Sequence, residues 1–84
     1  MKAKQMALTD MIEIGDEVVN SIDKGRLDND QVLRKKIEVF NNLRNLAYSV
    51  SKTSLDKDIE EELLRQLAHS IREIETQLDI VAPD

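Results

Sequence analysis

The chain has 84 residues and a formal net charge of −5, from 17 acidic and 12 basic side chains. It contains no cysteine and no tryptophan, and only one histidine, one tyrosine and one phenylalanine. This composition excludes a disulfide within the chain. It argues against duplex nucleic acid or an anionic membrane surface as the main partner, because both require an excess of Lys and Arg.

The length predicts a single domain over residues 1–84. A chain of this size buries only about 60% of the surface that its unfolded form exposes, so its stability depends on good helix packing or on association. Asp10 and Glu13 interrupt the apolar residues near the first Met, which disfavours a secretory signal, and no stretch approaches the roughly 20 apolar residues of a membrane span. We therefore expect a cytoplasmic protein that does not contact a membrane.

The first apolar pattern predicts a helix over about residues 6–24, because aliphatic side chains recur at the spacing of one helix face. Gly15 lies on that apolar face, where glycine costs about 1 kcal/mol relative to alanine. Either a neighbouring helix approaches closely at Gly15, or the fold tolerates the cost. Gly25 follows the last apolar turn, so we expect it to end helix 1 in the left-handed conformation that glycine adopts freely.

The second predicted helix covers about residues 29–50 and has the clearest start in the chain. Asp28 is the expected N-cap, with Gln31 in the third helical position as its partner in a capping box. Leu27 and Val32 are then placed as the two halves of a hydrophobic staple.

The third predicted helix covers about residues 55–80. Polar residues cluster over residues 49–54, where Thr53 or Ser54 would cap the next helix. Since nothing in that cluster forbids a helix, one bent continuous helix over residues 28–78 stays as an alternative.

Short connections place successive helices antiparallel. The sequence therefore predicts an all-α fold, an antiparallel up-down-up three-helix bundle with two long helices. Because the aromatic content is so low, the core of one subunit is thin, and apolar surface stays exposed unless a second subunit covers it. We therefore predict self-association.

The apolar arc of helix 2 is wide, with Val39 and Leu46 on one flank and Tyr48 on the other. Leu64 widens the stripe of helix 3 in the same way. Side chains on the flanks of a core arc are the ones that a partner helix can reach, so we predict that Val39, Leu46, Tyr48 and Leu64 form the face for a protein partner or a second subunit.

His69 is the only imidazole, and helix periodicity places it on the polar side of helix 3, where we expect a solvated residue. Residues 67–72 (LAHSIR) resemble the phosphorylatable helix of histidine phosphotransfer domains, with Ile71 and Arg72 at the matching aliphatic and basic positions. Glu73 stands where that family has a small residue. The resemblance implies phosphoryl acceptance by His69.

Other chemical motifs point away from catalysis. The sequence has no Gly-rich phosphate loop, no nucleophile elbow and no metal-ligand spacing, so we expect no metal and no cofactor. The basic run Arg34-Lys35-Lys36 spreads around a helix and does not form a stripe, which argues against nucleic acid. Residues 17–27 are loosely similar to the helix–Gly–helix turn of the exonuclease VII small subunit, which implies an accessory subunit of an enzyme.

These patterns predict a small, acidic, non-catalytic helical protein that acts by binding another protein, as an adaptor, chaperone-like protein, inhibitor or regulator. An accessory enzyme subunit is the first alternative. Phosphotransfer through His69 and regulation on nucleic acid are the weaker ones.

Overall fold

The computed structural model describes residues 8–52 and 56–80, and these residues form an all-helical fold, which confirms the predicted class. Within these ranges four helices pack together: α1 (Leu8–Asn20), α2 (Lys24–Asn29), α3 (Gln31–Ser51) and α4 (Lys57–Asp79). The main packing is between α3 and α4, and α1 lies against both of them. The predicted first residues of helix 1 and of helix 3, and the candidate caps Thr53 and Ser54, lie outside the described residues.

Helices α3 and α4 run antiparallel. Lys36 Nζ lies 3.5 Å from Glu73 Oε1, and Gln77 Nε2 donates to Asp30 Oδ2 at 3.1 Å, so residue numbers rise along α3 while they fall along α4. A single bent helix over residues 28–78 is therefore wrong. The N-cap of α4 is Asp56, which accepts a hydrogen bond from the Asp58 amide at 3.0 Å.

The prediction that Gly25 ends helix 1 is wrong. Helix α1 ends at Asn20, where the Ser21 hydroxyl donates to the Val18 carbonyl at 2.7 Å and closes the last turn. Asp23 then starts a further helix by accepting from the Gly25 amide at 3.1 Å. Gly25 does not have a positive φ, because it occupies the first turn of α2.

The predicted start of helix 2 is displaced by two residues. Asp28 lies within α2, and the N-cap of α3 is Asp30, which accepts from the Leu33 amide at 3.0 Å. The staple is wrong for the same reason, since Val32 is exposed in the first turn of α3. Asp28 and Asp30 are equally good caps by residue type, and contacts with distant residues favour Asp30.

Those contacts form a polar cluster around the Asp30 carboxylate. Arg26 Nε donates to Asp30 Oδ2 at 3.2 Å, and Gln77 Nε2 donates to the same oxygen at 3.1 Å. Arg26 Nη2 also donates to the carbonyls of Gln77 and Ile80, at 2.6 and 3.0 Å, and so satisfies two carbonyls at the end of α4. The cluster joins α2, the start of α3 and the end of α4.

The core is aliphatic except for one ring. Phe40 is fully buried at the centre of α3. A Cβ added at Gly15 would overlap the Phe40 ring and would lie 3.1 Å from Ile71 Cδ1. Close approach therefore explains Gly15, and the alternative of a merely tolerated glycine is wrong. The buried apolar residues come from all three longer helices: Leu8, Ile12, Leu33, Phe40, Ala47, Leu63, Leu67, Ile71 and Ile74.

We expect Gly15→Ala to lower the free energy of unfolding by about 1 kcal/mol. Alanine favours the helix by about 1 kcal/mol over glycine, whereas overpacking a core costs about 1–3 kcal/mol. At Gly15 the overpacking is the larger effect, because the added Cβ would overlap the Phe40 ring. Urea denaturation followed by circular dichroism measures the change.

Phe40→Leu supplies the control background, because leucine lacks the outer ring atoms that the new Cβ would meet. In that background Gly15→Ala should be stabilising, by up to about 1 kcal/mol. The same loss in both backgrounds would show that the two residues are not in contact.

The hydrogen bonds to the Asp30 carboxylate should make the stability of the fold depend on pH. Its hydrogen bond from the Leu33 amide, with further ones from Gln77 and Arg26, lowers the pKa of this carboxyl below its ordinary value of 3.8. The stability that the ionised group contributes is therefore complete above pH 3.8 and is lost as the pH falls through the lower pKa of the folded state. We expect Asp30→Asn to be less stable than the wild type at neutral pH, and the difference should narrow in acid.

Thermal unfolding of the wild type and of Asp30→Asn, from neutral pH to below pH 3.8, measures the difference in stability. Asp28→Asn is the matched control at the position first predicted as the cap, and it should unfold like the wild type at neutral pH. A larger effect at Asp28 than at Asp30 would contradict the assignment of the cap.

Candidate functional site

The outward side of α3 carries a row of exposed aliphatic side chains. Val32, Val39 and Leu46 follow one another at intervals of seven residues, about two helical turns, and so lie on one side of the helix. They are 53%, 54% and 51% exposed. We call these three residues the ridge. Since burying such a side chain contributes about 1.5–3 kcal/mol, the ridge is a substantial area of apolar surface left in water.

A groove of about 550 Å³ lies beside the ridge, between α3 and α4. Apolar atoms of Val39 and Leu43 form its α3 side, and the small, buried Ser70 leaves room at its base. The remaining lining side chains are long and polar, and they form the rim: Lys36, Arg65, Gln66, His69 and Glu73.

Helix α1 lies on the opposite side of the α3–α4 pair. It meets α3 where Arg44 Nη1 donates to Asp16 Oδ1 at 2.8 Å, and it meets α4 where Gly15 faces Ile71. None of the described residues of α1 or α2 lines the groove. We call the side of the α3–α4 pair that carries the ridge and the groove the open face.

The rim of the groove holds two ion pairs. Lys36 pairs with Glu73 across the helices at 3.5 Å, and Arg65 Nη1 pairs with Glu62 Oε2 within α4 at 2.8 Å. Partly exposed pairs like these contribute little stability, typically about 0–1 kcal/mol. An apolar base with a solvated, charged rim is the composition expected of a protein interface.

The four residues predicted as a partner face do not form one surface. Val39 and Leu46 lie together on the ridge. Tyr48 is exposed on the other flank of α3, one turn after Arg44 and so towards α1. Leu64 is half-buried against the core, on the side of α4 away from the groove.

Val32 and the α4 side of the groove are not predicted from the sequence. The interval of seven residues from Val32 to Val39 and Leu46 indicates one row, but the predicted staple places Val32 against Leu27 instead. The α4 side of the groove is polar, so the pattern of apolar residues does not reveal it.

His69 is exposed, and it lines the groove on the α4 side. The carboxylate of Glu73, one turn away, is paired with Lys36. Within residues 8–52 and 56–80, no group of three or more His, Asp or Glu side chains is placed to hold a metal ion. None of the helices in these ranges is both long and apolar enough to cross a bilayer.

Comparisons of this chain with protein-family models, with curated proteins and with solved structures find no match.

We expect Leu46→Asp and Leu64→Asp to differ in stability. Leu46→Asp places a charge where the side chain is already half in water, so the free energy of unfolding of the monomer, measured in dilute solution, should change by about 0.5 kcal/mol or less. Leu64→Asp brings an unpaired carboxylate against the core and should cost about 2 kcal/mol or more. Urea denaturation of both variants tests this, and equal losses would contradict the assigned positions.

Proposed function

We propose that the protein is a non-catalytic helical binding module that engages other proteins through the open face. The observation that carries the proposal is the ridge of three half-exposed aliphatic residues on α3, next to an apolar groove with a polar rim. Contiguous apolar surface rimmed by polar groups is typical of interaction sites on small proteins.

The binding mode fits a helix laid into a groove. The ridge offers anchors two turns apart on one side of α3, which is the spacing at which two helices exchange side chains. The rim, with Lys36, Arg65 and Glu73, sets orientation and the rate of association more than affinity, because exposed charges act mainly through steering and exclusion of wrong partners.

The proposal keeps the predicted up-down-up arrangement of the three longer helices, with α2 as a short connecting helix. In that arrangement α1 closes one side of the α3–α4 pair and the open face is free to bind. Self-association and a cytoplasmic location belong to the same proposal.

The test is affinity capture with the tagged chain from an extract of its native cell, with nuclease treatment and mass spectrometry. We expect a nuclease-resistant protein, either another chain or untagged copies of this one, to be captured by the wild type. Val39→Asp combined with Leu46→Asp should remove it, because two charges in the apolar surface must be desolvated on binding.

Ile14→Asp is the matched control, since Ile14 is also half-exposed, at 41%, but lies on α1. Capture that survives the double substitution would show that the open face is not the binding surface. Loss of all captured material on nuclease treatment would favour nucleic acid as the partner.

Two further outcomes separate the alternatives. A large catalytic chain whose activity needs this protein would identify an accessory subunit. Acid-labile phosphate that disappears in His69→Gln would identify a phosphotransfer module.

A further inference from the structure

We infer that a second copy of this chain covers the open face, with the two α3 helices packed antiparallel about a two-fold axis that crosses the open face level with Asn41. The inference rests on the proposed function and names the partner. It is carried by the spacing of apolar residues on α3, by the distribution of charge on the open face and by the size of that face.

Two parallel rows of residues with a heptad spacing lie on this side of α3. The first row is the ridge. The second row starts four residues after Val32 and continues at intervals of seven: Lys36, Leu43 and Val50. Lys36 and Leu43 line the groove, and Leu43 and Val50 are partly buried against the core. Alternating steps of four and three residues between two such rows are the pattern of a helix that pairs with another helix.

The rows fit each other when two copies are antiparallel. The midpoint of α3 (Gln31–Ser51) is Asn41, and an axis there gives the longest overlap of the two helices. In that register Val32 of one copy lies level with Val50 of the other, and Val39 lies level with Leu43. Leu46 lies level with the aliphatic stem of Lys36, whose ammonium group reaches the rim. Each ridge therefore packs against the second row of the other copy.

Charge distribution selects the antiparallel orientation. At the end of the open face near α2, Lys35 lies one turn before Val39 and Lys36 lines the groove, where Glu73 pairs with Lys36. At the other end, Glu62 of α4 pairs with Arg65. A parallel pair would place Lys35 and Lys36 beside their own counterparts, whereas the antiparallel pair places Lys35 level with Glu62 of the other copy.

The groove carries little net charge, although the molecule as a whole is acidic. Its rim holds the ion pairs Lys36–Glu73 and Arg65–Glu62, which cancel, while the whole chain carries −5. The rest of the surface therefore bears the acidic excess and disfavours other modes of self-association.

The area is close to what a stable dimer needs. Helix α3 has 21 residues and is about 31 Å long at 1.5 Å per residue. Two packed helices are about 18–20 Å wide, so the face projects about 600 Å², and a corrugated surface of that outline approaches the roughly 800 Å² per partner of a standard interface.

The experiment is sedimentation equilibrium of the purified full chain over a roughly hundredfold concentration range. We expect a reversible monomer–dimer equilibrium for the wild type and for Ile14→Asp, and a monomer for Val39→Asp combined with Leu46→Asp. A wild-type monomer at every concentration would overturn the inference. The proposed function would survive that result, provided that capture of another protein still depends on the ridge.

Charge exchange tests the orientation. In the antiparallel register Lys35 of one copy is level with Glu62 of the other, and this contact occurs twice in each dimer. Lys35→Glu alone and Glu62→Lys alone should each weaken dimerisation about three- to tenfold, and the double variant should regain most of the loss. Additive weakening in the double variant would contradict the register.

Cysteine cross-linking gives an independent readout, because the chain has no cysteine of its own. A mixture of Val32→Cys and Val50→Cys should form a disulfide between the two variants under mild oxidation, and neither variant should cross-link with itself. In the proposed register the two copies of residue 32 are about 27 Å apart along the helix, far beyond the reach of a disulfide. Self-cross-linking of Val32→Cys would show a parallel pair and overturn the inference.

Discussion

The contact between Gly15 and the ring of Phe40 is the constraint on which the rest of the fold depends. Three helices meet at this point, because Ile71 of α4 closes on the same glycine. The chain has a single phenylalanine and no tryptophan, so one ring must fill the centre of the core. A side chain at position 15 would hold α1 away from that ring. Glycine lowers the helix propensity of α1, but it allows the backbone of α1 to pack directly on the Phe40 ring.

The placement of α1 by this contact leaves the other side of the α3–α4 pair without a covering helix among the described residues. An antiparallel helix pair has two grooves, and one further helix of ordinary length fills only one of them. In the first groove, Gly15 of α1 and Ile71 of α4 lie close to the ring of Phe40. In the second, Val39 and Leu43 border the small residue Ser70, and no described residue of α1 or α2 lines the groove. The apolar ridge is therefore a consequence of how the core is closed.

Helix periodicity predicts the all-α class and the two flanks of α3, because the side chains on each flank follow from the helical repeat alone. The start of α3 could not be obtained in this way. Asp23, Asp28 and Asp30 are all good caps locally. The choice is made by Arg26 and Gln77, and Gln77 is 47 residues from Asp30 in the sequence. For the same reason the local sequence does not predict the conformation of Gly25, which depends on which aspartate begins the next helix.

In the proposed function, the open face links the stability of the fold to association with a partner. A chain of 84 residues with one aromatic core residue buries little apolar surface, so its stability is marginal. The fold nevertheless leaves three aliphatic side chains of α3 half-exposed to water. Their heptad spacing is not needed for packing against α1 or α4, which use the row of Leu33, Phe40 and Ala47 on the adjacent side of α3. Helix α3 therefore carries two rows of equal spacing, one buried within the chain and one exposed. In the proposed function the exposed row binds the partner, and that binding would stabilise the fold by mass action.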